Sequence, residues 1–215
     1  MLSLQGICYM QISFKSVLIN MLTLASTMAS GLTWAGAVVA PPVHLTYPKK
    51  MTAQFVWNQV LARQATYIQD GDKGPIIYDF QDPNCPYCHV LYKAEAPLIR
   101  AGLLTVRYVP VAFISPNSLP EAAAWLQAPQ PTQALQHFEN IIGPSFRNGG
   151  TKDLPKASPT EDTRADLREN MKLLGSLGFQ GTPAIIFRAK SGQLGRIPGS
   201  ISEAQLKRLL PKLAP

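Results

Sequence analysis

Two hydrophobic periods divide this chain into elements, one of two residues and one of three to four. Gly74-Pro75-Ile76-Ile77-Tyr78-Asp79-Phe80 reads as a turn signal followed by a short, mostly apolar strand. His89 to Arg100 then carries Val90, Leu91, Ala94, Leu98 and Ile99 at helical spacing. Leu103 to Phe113, dense in β-branched and aromatic residues, predicts a second core strand. Glu121 to Gln127 and Thr132 to Ile142 predict helices, each following a proline that suits a helix start. Gly143 to Pro159, rich in Pro and Gly, reads as a loop. Glu161 to Leu177 is amphipathic, with Leu167, Met171, Leu174 and Leu177 on one face and a stop near Gly178. Ala184 to Phe187 and Gly195 to Ile197 should pair as a hairpin across Ser191-Gly192, and Ile201 to Leu210 closes the chain as a helix. Before all of these, Thr52 to Ile68 predicts a connecting helix. The order is that of an α/β domain, without internal repeats.

The first 50 residues follow a different pattern. Lys15 precedes an uncharged stretch reaching Tyr47, most apolar from Val17 to Leu24, and Ala35-Gly36-Ala37 fits a small-x-small cleavage site. Residues 1–37 are expected to be a signal peptide or, since Ser16 to Ala40 is long enough to span a bilayer, a retained anchor. Residues 38–73 then form a linker with its helix, and 74–215 the domain. Met10 would make a more conventional start than Met1. Either route places the domain in an exported compartment, where disulfides persist. With Cys8 on the discarded or cytoplasmic side, Cys85 and Cys88 are the thiols that remain, and there is no structural disulfide framework. Of the formal charge of +7, three lysines (Lys15, Lys49, Lys50) precede residue 51 and no acid does. The other basic residues are scattered, without a stripe or interleaved aromatics, so nucleic-acid binding is not indicated.

The chemistry concentrates at Cys85-Pro86-Tyr87-Cys88, between the first strand and the helix. A cysteine at a helix N-terminus faces unpaired N–H groups and the positive end of the helix dipole. Both favour the thiolate, which is the nucleophile in disulfide exchange. Pro86 suits the first turn, making Cys85 the attacking sulfur and Cys88 the resolving one. Asp79, on a strand that should be buried, could accept the Cys88 proton, or could be a solvated strand-end carboxylate. His89 either tunes the helix start and the Cys85 thiolate or sits on the surface. Tyr87, with Pro86, chiefly sets redox poise. Downstream, Gly181-Thr182-Pro183 precedes the apolar run Ala184-Ile185-Ile186-Phe187, and an X-Pro bond at a strand entrance is a candidate cis peptide. Two other chemistries compete for the cysteines. Zinc needs two more ligands, and His44, His89 and His137 are poorly placed for it. Cys85 to His89 also matches the haem-attachment pattern C-x-x-C-H, but its strand–helix setting does not suit a haem wrapper.

From about Met51 onward the chain resembles the catalytic domain of the periplasmic disulfide isomerases and reductases of the DsbC/DsbG family, on the DsbG side. The resemblance is carried by Phe80 to Cys88, Leu104 to Val111, Ser115-Pro116, Ala122-Ala123-Ala124 and Gly181-Thr182-Pro183-Ala184. It implies a thioredoxin-like fold with a helical insertion, placed at about 118–179, between the dithiol helix and the proline strand. It also implies that Thr182 and Pro183 lie against the dithiol and orient an extended substrate. The partners implied are protein substrates with cysteines or disulfides and a redox protein that recycles the dithiol, with no bound cofactor. Two departures stand out. The family's N-terminal dimerisation domain has no room before the connecting helix, and Asp79 occupies a position that is usually apolar in this family but an aspartate in thioredoxins. The competing class is a non-catalytic binding module of the same fold in an envelope assembly.

Overall fold

A computed structural model describes residues 51–147 and 154–215. The expected signal or anchor segment, its cleavage site and Cys8 lie outside these residues, as does the middle of the expected 143–159 loop. Helix α1 (residues 53–64) widens to a π-type helix over Val56–Leu61. There follow β1 (Ile68–Asp70), β2 (Ile76–Gln81), α2 (Pro86–Arg100) and β3 (Thr105–Pro110). Helices α3 (Ser118–Leu126), α4 (Pro131–Arg147) and α5 (Glu161–Ser176) stand between β3 and β4 (Ala184–Arg188). β5 (Leu194–Pro198) and α6 (Glu203–Leu209) complete the domain. The sheet order is β1-β3-β2-β4-β5, with β2 and β3 parallel and every other pair antiparallel. This is a mixed α/β, thioredoxin-like sheet with a helical insertion.

Strand alternation sorts the core into two faces. Ile77, Val106, Tyr108, Ile185 and Phe187 pack against Leu91, Tyr92 and Leu98 of α2, Leu135, Phe138 and Ile142 of α4, and Leu206 of α6. Tyr78, Phe80, Val109, Ala184 and Ile186 meet Val56, Trp57, Val60 and Leu61 of α1 and Leu173 and Leu174 of α5. Trp57 meets Tyr78 edge-on at 5.2 Å, a pairing worth about 0.5–1.5 kcal/mol beyond area burial. Asp79 falls on the same face as Ile77, so its carboxyl enters the core beneath α2. No helix among the described residues is long and apolar enough to cross a membrane.

The structure corrects several element boundaries. The connecting helix ends at Gln64 rather than Ile68. Asn170 of α5 holds Thr66 out of the helix, accepting from its N–H at 3.1 Å and donating to its carbonyl at 2.9 Å. Ile68 then begins β1, pairing with Tyr108. Residues 53–70 are thus packed into the domain instead of linking to it. The second core strand is shorter than expected, because the Phe113 and Ile114 N–H groups turn inward to the Asp82 carboxylate. α4 runs on through Gly143, which was expected to open a loop. A Cβ at Gly143 would stand 2.8 Å from His89 Nε2, so the glycine there serves close packing within a helix. α2 also turns differently from the expected apolar stripe: Val90 is exposed, whereas Cys88, Leu91, Tyr92, Glu95 and Leu98 face the core.

Candidate active site

Cys85 is the N-cap of α2, with Pro86 in the first turn, as a strand-to-helix junction with this sequence dictates. Its Sγ accepts the Cys88 N–H at 3.3 Å, and its carbonyl receives the N–H groups of Cys88 and His89. Both cysteines are free thiols and nearly buried, Cys85 at 4% exposure and Cys88 at 1%. The two sulfurs differ sharply in acidity. A hydrogen bond from the Cys88 thiol is the main influence that lowers the Cys85 pKa to about 6. Burial opposes this, while Thr182 and the N–H groups of Cys88 and Tyr87 reinforce it. Burial pushes the Cys88 thiol far up, reinforced by its bond to Cys85 and by the charges of Asp79 and Cys85. One sulfur is a ready nucleophile and the other keeps its proton.

The Thr182–Pro183 bond is cis, and the loop lies across the dithiol with the Thr182 carbonyl 3.4 Å from Cys85 Sγ. Thr182 Oγ1 is buried beside the sulfurs without a hydrogen-bond partner. The other side of this loop lines an open groove of about 560 Å³, together with Phe179, Arg196 and Pro198. Arg196 lies over the Phe179 ring at 4.8 Å. Asp79 is fully buried. Its Oδ2 accepts from Gln81 Nε2 at 2.5 Å, and its Oδ1 has no partner. Burial holds its pKa well above the usual carboxylate range against the Gln81 bond, and the charges of Cys85 and Glu139 raise it further. The solvated alternative for Asp79 is therefore excluded.

His89 is mostly buried, with Nδ1 2.7 Å from Glu139 Oε2 on α4. Pro86 and Tyr87 are exposed in the first turn, Tyr87 at 66%, and Phe113 and Ile114 are also exposed. Sequence reasoning missed the residues that fix this junction. Asp82 Oδ1 accepts from Asn84 N–H at 2.9 Å and Ser118 Oγ at 2.6 Å, and its Oδ2 accepts from Phe113 and Ile114 N–H at 2.7 and 3.1 Å. Asn84 Nδ2 donates to Glu121 Oε2 at 2.6 Å. Asp82 and Asn84 lie inside the motif-bearing stretch, but apart from the bond between them their partners are more than 25 residues away, and nothing local announces those. Glu139 is likewise distant from His89. Glu95 did leave a signal, as a carboxylate in the middle of an otherwise apolar helix face.

A model of the thioredoxin-like domain matches residues 62–214, most of the chain. The chain belongs to the thioredoxin-like domain family. Among curated relatives it is 31% identical over 160 residues to the thiol:disulfide interchange protein DsbG of Pseudomonas aeruginosa, covering 74% of this chain. It is 32% identical over 146 residues to the DsbG of Escherichia coli, covering 67% of this chain. The match spans 59% and 56% of those proteins' own lengths. A periplasmic thioredoxin-like protein from Salmonella enterica serovar Typhimurium shares the fold, with a TM-score of 0.56 at 22% identity over 76% of this chain and 97% of that one.

Proposed function

We propose that this thioredoxin-like protein is an exported thiol–disulfide oxidoreductase acting on protein substrates through Cys85 and Cys88. The observation that carries the reading is the paired sulfurs at the α2 N-terminus, one with its pKa lowered to about 6 and the other held protonated, beneath the Thr182–Pro183 loop. The likeness to DsbG proteins supports the same reaction class. In the reductive direction the Cys85 thiolate attacks a substrate disulfide; a Cys85–substrate disulfide forms, and the other substrate sulfur leaves as thiolate. That step removes the Cys85 charge, one of the influences raising both Cys88 and Asp79. Cys88 then gives its proton to Asp79 and attacks Cys85, and the remaining substrate sulfur departs. The oxidative direction is the reverse. Thr182 and Pro183 orient the substrate strand, while Pro86, Tyr87 and His89 tune the thiolate. A redox protein with its own exchangeable thiols recycles the pair. Export to the periplasm rests on Lys15, the Val17 to Leu24 run and Ala35-Gly36-Ala37.

The test is a midpoint potential, obtained by equilibrating the purified protein in glutathione buffers and trapping thiols by alkylation. A value towards about −120 mV marks an oxidant and one near about −270 mV a reductant. Cys85→Ser should abolish turnover of a disulfide substrate. A dithiol that does not cycle, or an unchanged biological role for Cys85→Ser, would leave the binding module.

A further inference from the structure

The groove on the outer side of the Thr182–Pro183 loop begins beside the nucleophile, because the Thr182 carbonyl lies 3.4 Å from Cys85 Sγ. It encloses about 560 Å³, and Arg196 is the single charged side chain that lines it. Arg196 belongs to the edge strand β5 and pairs with Ile186, three residues beyond Pro183. At a rise of about 3.3 Å per residue, that is about 10 Å along the strand from the loop. The Arg196 guanidinium lies over the Phe179 ring at 4.8 Å. Phe179 is itself buried in the core face that meets α1 and α5, so the platform beneath the charge is fixed. Gly178 leaves the space that the guanidinium fills, since a Cβ there would stand 2.7 Å from an Arg196 Nη atom.

A cation held in this way is positioned but not consumed by the fold. Stacking on an aromatic face leaves the in-plane N–H donors of a guanidinium available. Arg196 is exposed, and the Phe179 ring is the one partner of its guanidinium among the described residues. Arg188 on β4, by contrast, lies over the Trp57 ring and also donates to the Pro215 carbonyl. We infer that Arg196 is a specificity subsite for an acidic side chain of the substrate, lying within about three residues of the cysteine that Cys85 attacks. The inference rests on the proposed disulfide exchange and names the substrate class it favours: protein segments with Asp or Glu beside the reacting cysteine. An extended segment laid from the Thr182–Pro183 loop along β5 reaches Arg196 in that number of residues.

The charge pattern of the groove selects for an anion. No acid lines it, so a substrate lysine there would meet Arg196 as a like charge without a compensating partner. The Cys85 thiolate repels an acidic segment as it approaches, and the Arg196 charge offsets that repulsion. Arg196 takes no part in bond making. The Cys85 thiolate bonds to one substrate sulfur and the other leaves with the electron pair, while the acid–guanidinium pair holds the segment against the loop. A guanidinium near the end of α5 also complements the helix dipole. A role confined to that would act on folding and would not depend on the charge of the substrate.

The experiment follows mixed-disulfide formation between the reduced full-length protein and short peptides whose single cysteine is activated as a pyridyl disulfide. Cys85 bonds to the peptide sulfur, and the thiopyridone that leaves is read by its absorbance. The peptides carry Glu, Gln or Lys within about three residues of the cysteine, on either side. Arg196→Gln should lower the ratio of Glu-peptide to Lys-peptide rates by about fivefold, the upper end for an ion pair at an exposed site. Arg196→Lys should restore part of that ratio. Arg208→Gln, which removes an exposed charge from α6, should leave it at the wild-type value. The wild-type ratio should also shrink as salt is raised. An unchanged ratio in Arg196→Gln overturns the subsite. So does an equal fall in Arg208→Gln, because the general charge of the domain would then be responsible. If Arg196→Gln does not fold, the salt series on the wild type decides, and a ratio indifferent to salt overturns the subsite. Release of thiopyridone from no peptide removes the proposed exchange itself, whereas release at equal rates from all of them removes only the subsite.

Discussion

The division of labour at the site comes from single hydrogen bonds and burial, because both cysteines occupy the same turn of the same helix. Cys85 gathers donors, chiefly the Cys88 thiol, and its pKa falls to about 6. Burial, reinforced by the bond to Cys85, keeps the proton on Cys88. Alkylation of Cys85 by iodoacetamide should therefore reach half its limiting rate near pH 6, rather than about 8.5 as for a free cysteine. Cys88→Ala removes the leading donor and should move that midpoint upward, measured by mass spectrometry of peptides containing Cys85. An unmoved midpoint would assign the acidity to the helix terminus instead. The thiol pair and the Thr182-Pro183 loop were legible because they combine distinctive residue types with punctuating prolines. Burial of Asp79 was legible from its strand, but the pairing of His89 with Glu139 was not, since it depends on a helix that arrives much later in the chain.

Among elements, the junction between β2 and α2 is held by the helical insertion as much as by the sheet. Asp82 accepts four hydrogen bonds, from Asn84, Phe113, Ile114 and Ser118. These join the dithiol approach to the loop after β3 and to the start of α3. Asp82→Ala strands two inward-turned N–H groups and releases Ser118. A loss of about 2–4 kcal/mol is expected, since hydrogen bonds to a charged group are worth roughly 1.5–3 kcal/mol each and are not additive. Urea unfolding measures it, and a loss below about 0.5 kcal/mol, the level of an ordinary surface change, would show that the insertion packs without this anchor. Long periodic segments such as α5 were readable from sequence, as was the β4–β5 hairpin around its glycine turn. β1 was not: three residues at a sheet edge carry too little pattern, and Asn170, far downstream, ends the helix before them. The extension of α4 through Gly143 was hidden for a related reason, because glycine ordinarily signals a break and here makes room for His89.

For the whole molecule, the buried acids and the nucleophilic thiol pull stability in opposite directions with pH. Burial, the largest influence on each, raises the pKa values of Asp79, Glu95 and Glu139. A carboxyl with a raised folded pKa binds its proton more tightly in the folded state. The stability this brings is complete below the unfolded value near 4 and is lost as pH rises towards the folded pKa. In the oxidised protein the thiols do not titrate, so Tm should fall between pH 5 and pH 8. Asp79→Asn should raise Tm at pH 8, by roughly 2–4 °C for each kcal/mol recovered, with less change at pH 5. Calorimetry of oxidised wild type and variant tests this, and a Tm that rises across the interval would contradict burial of the acids as neutral groups. The reduced protein adds the Cys85 thiolate, whose pKa is lowered in the fold. Its contribution is complete above the unfolded value of about 8.5 and lost as pH falls to about 6. The reduced form should therefore gain on the oxidised form as pH rises between those values, which strengthens the disulfide as an oxidant relative to an ordinary cysteine pair.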